Sequence, residues 1–240
     1  MSPLSRSKLG HSESGHSVRM RSEVSSRPGD SSESNEPPIG LILCGGQSSR
    51  MGREKGLVPL PKSSESESDR TFVDNAIALL RPFVSQIYLS LREEQASLYE
   101  STREGSKDVR FIFDEPVACG PLRGLLSAHR MIPDASILLL AVDMIRLQDR
   151  HIQALLEVEE PESARHSVCY RHASGHYEPL VGYYGSDDLR TIDRWSTASP
   201  QAGLSYWLQK LRIAALPISD AEAPFFTSQN SELKINRIDL

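Results

Sequence analysis

The sequence predicts a three-layer α/β domain built on a mostly parallel sheet, and three observations predict it. Short apolar runs, at Ile39–Leu43, Val109–Phe113 and Ser136–Val142, alternate along the chain with stretches of helical periodicity. The uniform run at Ile39–Leu43 is of the kind expected for a strand buried on both faces of a parallel sheet. Strand, loop, helix and strand succeed one another in the order that builds βαβ units. Each run also ends in a group of distinctive chemistry: Leu43 in a Gly-rich loop, Phe113 in Asp114, and Val142 in Asp143. Open sheets bind ligands at the carboxyl ends of their strands, so three strand ends converge on one expected crevice.

Along the chain, residues 1–37 are dominated by Ser, with scattered Arg, Glu and Gly and no Phe, Tyr or Trp. Such a stretch buries too little surface to offset its ordering entropy and is expected to be disordered. The ordered domain is expected to occupy residues 38–240. Its first strand is Ile39–Leu43, followed by the loop Cys44-Gly45-Gly46-Gln47-Ser48-Ser49-Arg50-Met51-Gly52. Residues 61–70 (PKSSESESDR) read as a polar surface insertion. Thr71 stands three residues before Asp74, a capping-box-like helix start, and Phe72, Ala76, Leu79 and Leu80 supply the apolar stripe. Gln86–Leu91 reads as a strand, Glu93–Glu100 as a helix, and Val109–Phe113 as a strand. Pro121 suits the first turn of a helix running to about Met131, where its missing N–H would be unpaired anyway. Helices are expected near Gln148–Val158, Ser186–Trp195 and Gly203–Leu211. His166–Tyr170 and Glu178–Tyr184 are expected to pair antiparallel across the turn His172–His176.

Composition narrows the class of activity. Acidic residues outnumber Lys and Arg, 32 to 27, for a net charge of -5, which argues against a general nucleic-acid binder. No apolar run reaches the roughly 18 residues of a membrane span, and the N-terminus lacks the apolar core of a secretory signal. The three cysteines, Cys44, Cys119 and Cys169, form no CxxC pair and support neither a disulfide framework nor a zinc knuckle. A reducing cytoplasm is the expected compartment.

The Gly-rich loop carries the most specific signal. Gly45 and Gly46 allow close backbone approach, and their N–H groups can face phosphate oxygens. Arg50 and Lys55 add positive charge nearby. The loop matches neither the Walker A pattern nor GxGxxG. Asp143 ends the most apolar strand, where a carboxylate needs a cationic partner; magnesium on triphosphate oxygens is one such partner. Asp114 could accept hydrogen bonds from a base or sugar, support a metal, or make an Asx turn before Pro116. Cys119-Gly120-Pro121-Leu122-Arg123-Gly124 opens a helix whose N-terminus could attract an anion. His172 and His176 flank Ser174-Gly175, a turn, and no third metal ligand accompanies them. Trp195, Tyr206 and Trp207 read as core or subunit contacts.

These segments together resemble one family. IGLILCGGQSSRMGREKGLVPL resembles the N-terminal motif of the molybdenum cofactor guanylyltransferases, roughly LAGG-x-S-x-RMG-x-D-K. FDEPVACGPLRGLLSA is similar to the family's D…GPLAGL segment, LLLAVDM to its strand ending in a metal-binding Asp, and YEPLVGYY to its EPL-x-x-x-Y strand. LKINRIDL resembles its N-x-N-T-P-E-D-L ending. The resemblance implies a Rossmann-like α/β/α domain of the nucleotide-diphospho-sugar transferase type. It implies transfer of GMP from GTP to molybdopterin cofactor, with Mg2+ as cofactor and pyrophosphate as by-product. Leu43, Cys44, Gly45 and Gly46 would lie along the nucleotide, Lys55 and Arg50 would neutralise the triphosphate, Asp114 would contact GTP, and Asp143 would hold the metal and the nucleotide. Further candidate partners are an accessory GTP-binding protein or apo-molybdoenzymes.

The chain departs from the family's pattern in places. Cys44 stands for the usual Ala, Glu54 for Asp, and Ile145 for Pro. The family's Asn-x-Asn-Arg-like segment is here Leu89-Ser90-Leu91-Arg92, which keeps the arginine alone. Base choice therefore stays open among GTP, CTP and UTP. Other readings are a sugar-phosphate acceptor and a non-catalytic nucleotide-binding relative.

Overall fold

The structure is a computed structural model that describes residues 36–45, 54–61, 70–104, 108–158 and 166–228. The Ser-rich tail through residue 35, Gly46 and Arg50 of the Gly-rich loop, most of the insertion at 61–70 and the C-terminal motif lie outside the described residues.

A seven-stranded sheet forms the centre of the described domain. Its strands are β1 (Ile39–Leu43), β2 (Ile87–Leu91), β3 (Val109–Phe113), β4 (Ile137–Ala141), β5 (Val168–Arg171), β6 (Tyr177–Tyr184) and β7 (Ala214–Pro217). The helices are α1 (Phe72–Leu80), α2 (Ala96–Glu104), α3 (Pro121–Met131), α4 (Asp149–Leu156), α5 (Ser186–Ala198) and α6 (Leu204–Leu211). Spatial order across the sheet is β3-β2-β1-β4-β6-β5-β7. β1 pairs in parallel with both β2 and β4, β2 with β3, and β5 with β7. β6 runs antiparallel to β4 and β5. The sheet is thus mostly parallel, as the apolar runs predicted, and the expected hairpin forms with Gly175 at φ 85° in its turn.

Alternation along the central strands divides the core into two layers. Ile39, Leu41 and Leu43 of β1, with Ile137 and Leu139 of β4, pack against α3, α5 and α6. Ile42 of β1, with Leu138 and Leu140 of β4, packs against α1 and α4 on the opposite face. Both faces of β1 and β4 are therefore covered, which is why their sequences are apolar throughout rather than alternating. Burial of this surface, at roughly 25 cal/mol per Å2, is the main force holding the layers together.

Local signals set several boundaries. Thr71 Oγ1 accepts from the Asp74 amide, and the Asp74 carboxylate accepts from the Thr71 amide at 2.8 Å, closing the capping box that starts α1. Pro121 is the first residue of α3, preceded by Gly120 at φ 56°, a region glycine enters readily. The stretch expected as one helix from Glu93 begins instead as a 3-10 turn, Glu93–Gln95, and continues as α2 to Glu104. β4 ends at Ala141, so Asp143 sits two residues beyond the strand, in a turn closed by the Met144 amide on the Ala141 carbonyl at 3.2 Å. The next helix takes Gln148 as its N-cap, so Asp143 caps no helix.

Candidate active site

The register levels the strand ends. Leu43 stands opposite Ser90 of β2 and opposite Ala141 of β4, and Leu91 opposite Phe113 of β3. The chain leaves β1 towards β2 on one side and β4 towards β6 and β5 on the other, so the connections, not the paired strands, part at the sheet's switch point, where a crevice opens. A cavity of about 510 Å3 occupies it. Leu43, Cys44 and Gly45 line it from β1, Asp114 from β3, and Val142 and Asp143 from the turn after β4. The N-terminal turn of α3 closes one side through Gly120, Pro121 and Arg123.

Lys55 enters from the 3-10 turn Lys55–Leu57, and its Nζ lies 2.5 Å from Asp143 Oδ2. The two side chains are 19% and 10% exposed. The cationic partner that a carboxylate at this depth requires is thus Lys55. From α1, Asn75 Nδ2 donates to the Ile145 carbonyl at 3.4 Å and steadies the segment after Asp143.

Asp114 is held differently. Ser90 Oγ donates to its Oδ1 at 2.5 Å. Burial pushes the Asp114 carboxyl above its ordinary range, and the Ser90 hydrogen bond and the nearby Arg123 and Arg92 charges pull it partly back. Two glycines make this arrangement possible. A Cβ on Gly45 would stand 2.8 Å from Asp114 Oδ2, and one on Gly124 would stand 2.2 Å from Ser90 Oγ and 2.8 Å from Leu43 Cδ2.

The Gly45 amide does not face the cavity as the sequence suggested. Both the Cys44 and Gly45 amides donate to the Ser90 carbonyl at 3.1 Å, because the β1–β2 ladder continues past Leu43. What Gly45 provides is space. The Cys44 thiol is buried, which pushes its pKa far above the ordinary value.

Beside the cavity, Leu180 of β6 lines the wall, and the preceding Glu178 accepts from or pairs with His172 Nε2 at 3.3 Å. Burial raises the Glu178 carboxyl, His172 counters this, and the Asp143 charge adds to the rise. His172 and His176 lie in the hairpin turn, and among the described residues no group of three or more His, Cys, Asp or Glu side chains is placed to hold a metal. Trp207 is buried in the core, while Tyr206 is exposed.

The structure therefore brings together Leu43, Cys44, Gly45, Lys55, Asp114 and Asp143; Gly46 and Arg50 lie outside the described residues. Ser90, Arg92, Arg123 and Leu180 also line the cavity; the sequence flagged Arg123 only within an anion-attracting helix start and Arg92 and Leu180 only within family-like segments, and it gave Ser90 no role. The level register of β2 with β1 is the signal that would have pointed to Ser90.

With this geometry in hand, comparison with known proteins is decisive at the family level. The pattern that defines the MobA-like NTP transferase domain matches residues 40–215. The chain belongs to that family. It is a nucleotidyltransferase on a Rossmann-like fold. A protein named "Probable molybdenum cofactor guanylyltransferase" from Synechococcus elongatus is 29% identical over 187 residues, covering 76% of this transferase and 89% of the relative. A "Molybdenum cofactor biosynthesis bifunctional protein" from Synechocystis is 26% identical over 157 residues, or 65% of this transferase; the match spans 41% of that longer protein. The crystal structure of molybdopterin-guanine dinucleotide biosynthesis protein A from Archaeoglobus fulgidus superposes with a TM-score of 0.60 at 22% identity, over 80% of this transferase and 92% of its own chain. Among the described residues no helix is long and apolar enough to cross a membrane.

Proposed function

We propose that this transferase moves GMP from GTP to molybdopterin cofactor and releases pyrophosphate. The observation that carries the reading is the Lys55–Asp143 pair, 2.5 Å apart, on the wall of the cavity at the switch point of the sheet. The phosphate of the acceptor attacks the α-phosphorus, the new P–O bond forms, and the bond to the β-phosphate oxygen breaks so that pyrophosphate leaves. Lys55 would meet the negative charge spreading over the phosphates, a form of stabilisation that is strongest in a partly desolvated cleft. Arg92 and Arg123 line the same cavity and add charge, and the N-terminus of α3 opens into it, a position that attracts anions. Asp114, anchored by Ser90, would accept hydrogen bonds from the nucleoside.

The donor set fits magnesium. Asp143 is a single largely buried carboxylate, and magnesium takes few carboxylates together with phosphate oxygens and water. When bound there, the ion would neutralise phosphate charge and polarise the α-phosphoryl group. Asp143 would hold it, and Lys55 would turn from Asp143 to the phosphates.

Leu89 and Leu91, in the places of the family's two asparagines, favour a second reading in which CTP or another triphosphate is the donor. The free thiols Cys44, Cys119 and Cys169 support a reducing cytoplasm as the compartment. The test is pyrophosphate release by the purified chain with Mg2+, molybdopterin cofactor and each of the four triphosphates. Release with GTP alone supports the guanylyl reading. Release with CTP keeps the reaction and changes the product, and no release from folded protein would reject it.

A further inference from the structure

Three residues outside the strand ends form a tight group beside the site. Gln95, in the 3-10 turn that precedes α2, is only 1% exposed although its side chain is polar. Its amide is engaged on both sides. Oε1 accepts from the Arg92 amide at 2.8 Å and from Arg92 Nε at 3.2 Å, while Nε2 donates to Glu54 Oε2 at 2.5 Å. Glu54 also faces the Arg92 guanidinium, with Oε1 3.5 Å from a terminal nitrogen. Glu54 directly precedes Lys55, and both Lys55 and Arg92 line the cavity.

A second contact braces the same turn. The ring of Tyr99, fully buried in α2, leaves no room at Gly56: a Cβ there would stand 2.5 Å from the Tyr99 hydroxyl. The short segment carrying Lys55 is therefore clamped against Glu93–Glu104 at the residues on either side of the lysine.

Long cations lose rotamer freedom when they settle on a ligand, and holding them in advance reduces that loss. A buried amide whose donor and acceptor are both used fixes its partners in one arrangement. We infer that Gln95 is a positioning residue that sets Lys55, through Glu54, and Arg92 for a triphosphate. This rests on the nucleotidyl-transfer reading, but it concerns nucleotide binding and needs no particular acceptor.

The test is GTP affinity, measured by titration calorimetry with Mg2+ on purified full-length variants, beside a melting curve for each. Gln95→Glu places a carboxylate against Glu54 and should weaken GTP binding about tenfold or more, in line with losing a hydrogen bond to a charged group. Gln95→Met, which removes both bonds without adding charge, should weaken it in the same direction if the first variant does not fold. The exchange Glu54→Gln with Gln95→Glu rebuilds the donor–acceptor pair in reverse and should restore affinity to within about threefold of the parent chain. In the transfer assay the KM for GTP should rise in the single variants while the KM for the acceptor stays constant. Folded Gln95 variants that bind GTP like the parent would overturn the inference, as would an exchanged pair that folds but does not recover. A parent chain that binds none of the four triphosphates would instead sink the nucleotidyl-transfer reading, and this inference with it.

Discussion

Lys55 and Asp143 are 88 positions apart in the chain and 2.5 Å apart in space, each the counter-charge of the other at the mouth of the cavity. Lys55→Ala should lower the turnover of the transferase at least about 100-fold, the scale seen when one preorganised charge-stabilising donor is lost. The same change leaves a carboxylate that is 10% exposed without this partner, so folding stability should drop by about 1–3 kcal/mol. Asp143→Asn should abolish metal-dependent turnover with a smaller stability loss. Denaturant melts and pyrophosphate assays on both variants check this, and near-normal turnover in either would remove that residue from the mechanism.

Gly124 has room for no side chain. Gly124→Ala should cost about 1–3 kcal/mol by overpacking, since the added carbon would meet Ser90 Oγ at 2.2 Å. Ser90→Ala in the same chain should recover part of that loss, so the two changes should be less than additive in urea melts. Full additivity would show that the strain lies elsewhere.

The pH dependence of stability should carry the mark of Asp114. Its carboxyl is raised by burial, so the folded state holds its proton more tightly than the unfolded chain, where the value is about 3.9. Its contribution is therefore fully present below the unfolded value and is lost as pH rises through the folded one. Asp114→Asn should gain stability relative to the parent as pH goes from acid to neutral. A stability difference that stays flat over that range would contradict the assignment.

At the start of α1, Thr71→Ala should cost about 1 kcal/mol, the usual worth of an N-cap side chain, with the cavity left unchanged. Thermal melts and nucleotide affinity together would show whether the loss is confined to stability.

Much of this site could be read from the sequence because its parts sit where pattern and chemistry coincide. Asp114 and Asp143 follow apolar strands, and a carboxylate in that position signals a crevice. The hairpin between β5 and β6 was legible from Ser174-Gly175, and α3 from Gly120-Pro121. Ser90 was not legible, because a lone Ser in Ile87–Leu91 looks like any small strand residue until the register sets it against Asp114 and Gly124. Gln95 reads as an ordinary polar helix residue, and only the fold reveals that its amide is enclosed. The Gly45 amide misled for a similar reason: glycine permits a phosphate nest, but here the ladder with β2 claims its N–H. The parallel pairing of β7 with β5 joins segments with no shared pattern, so nothing local announced it.

The placement of β1 between β2 and β4 has a consequence for how the chain comes to be folded. A nascent chain emerging from the ribosome through β3 can zip β1, β2 and β3 together, yet it leaves the far side of β1 as a bare, apolar edge. That edge stays open until residues 137–141 arrive to cover it. Unpaired strands of this kind recruit other chains, so the interval between synthesis of β3 and β4 is one in which the protein is exposed to aggregation. Translation speed across that stretch, or a chaperone that shields β1 during it, should therefore influence the yield of soluble protein.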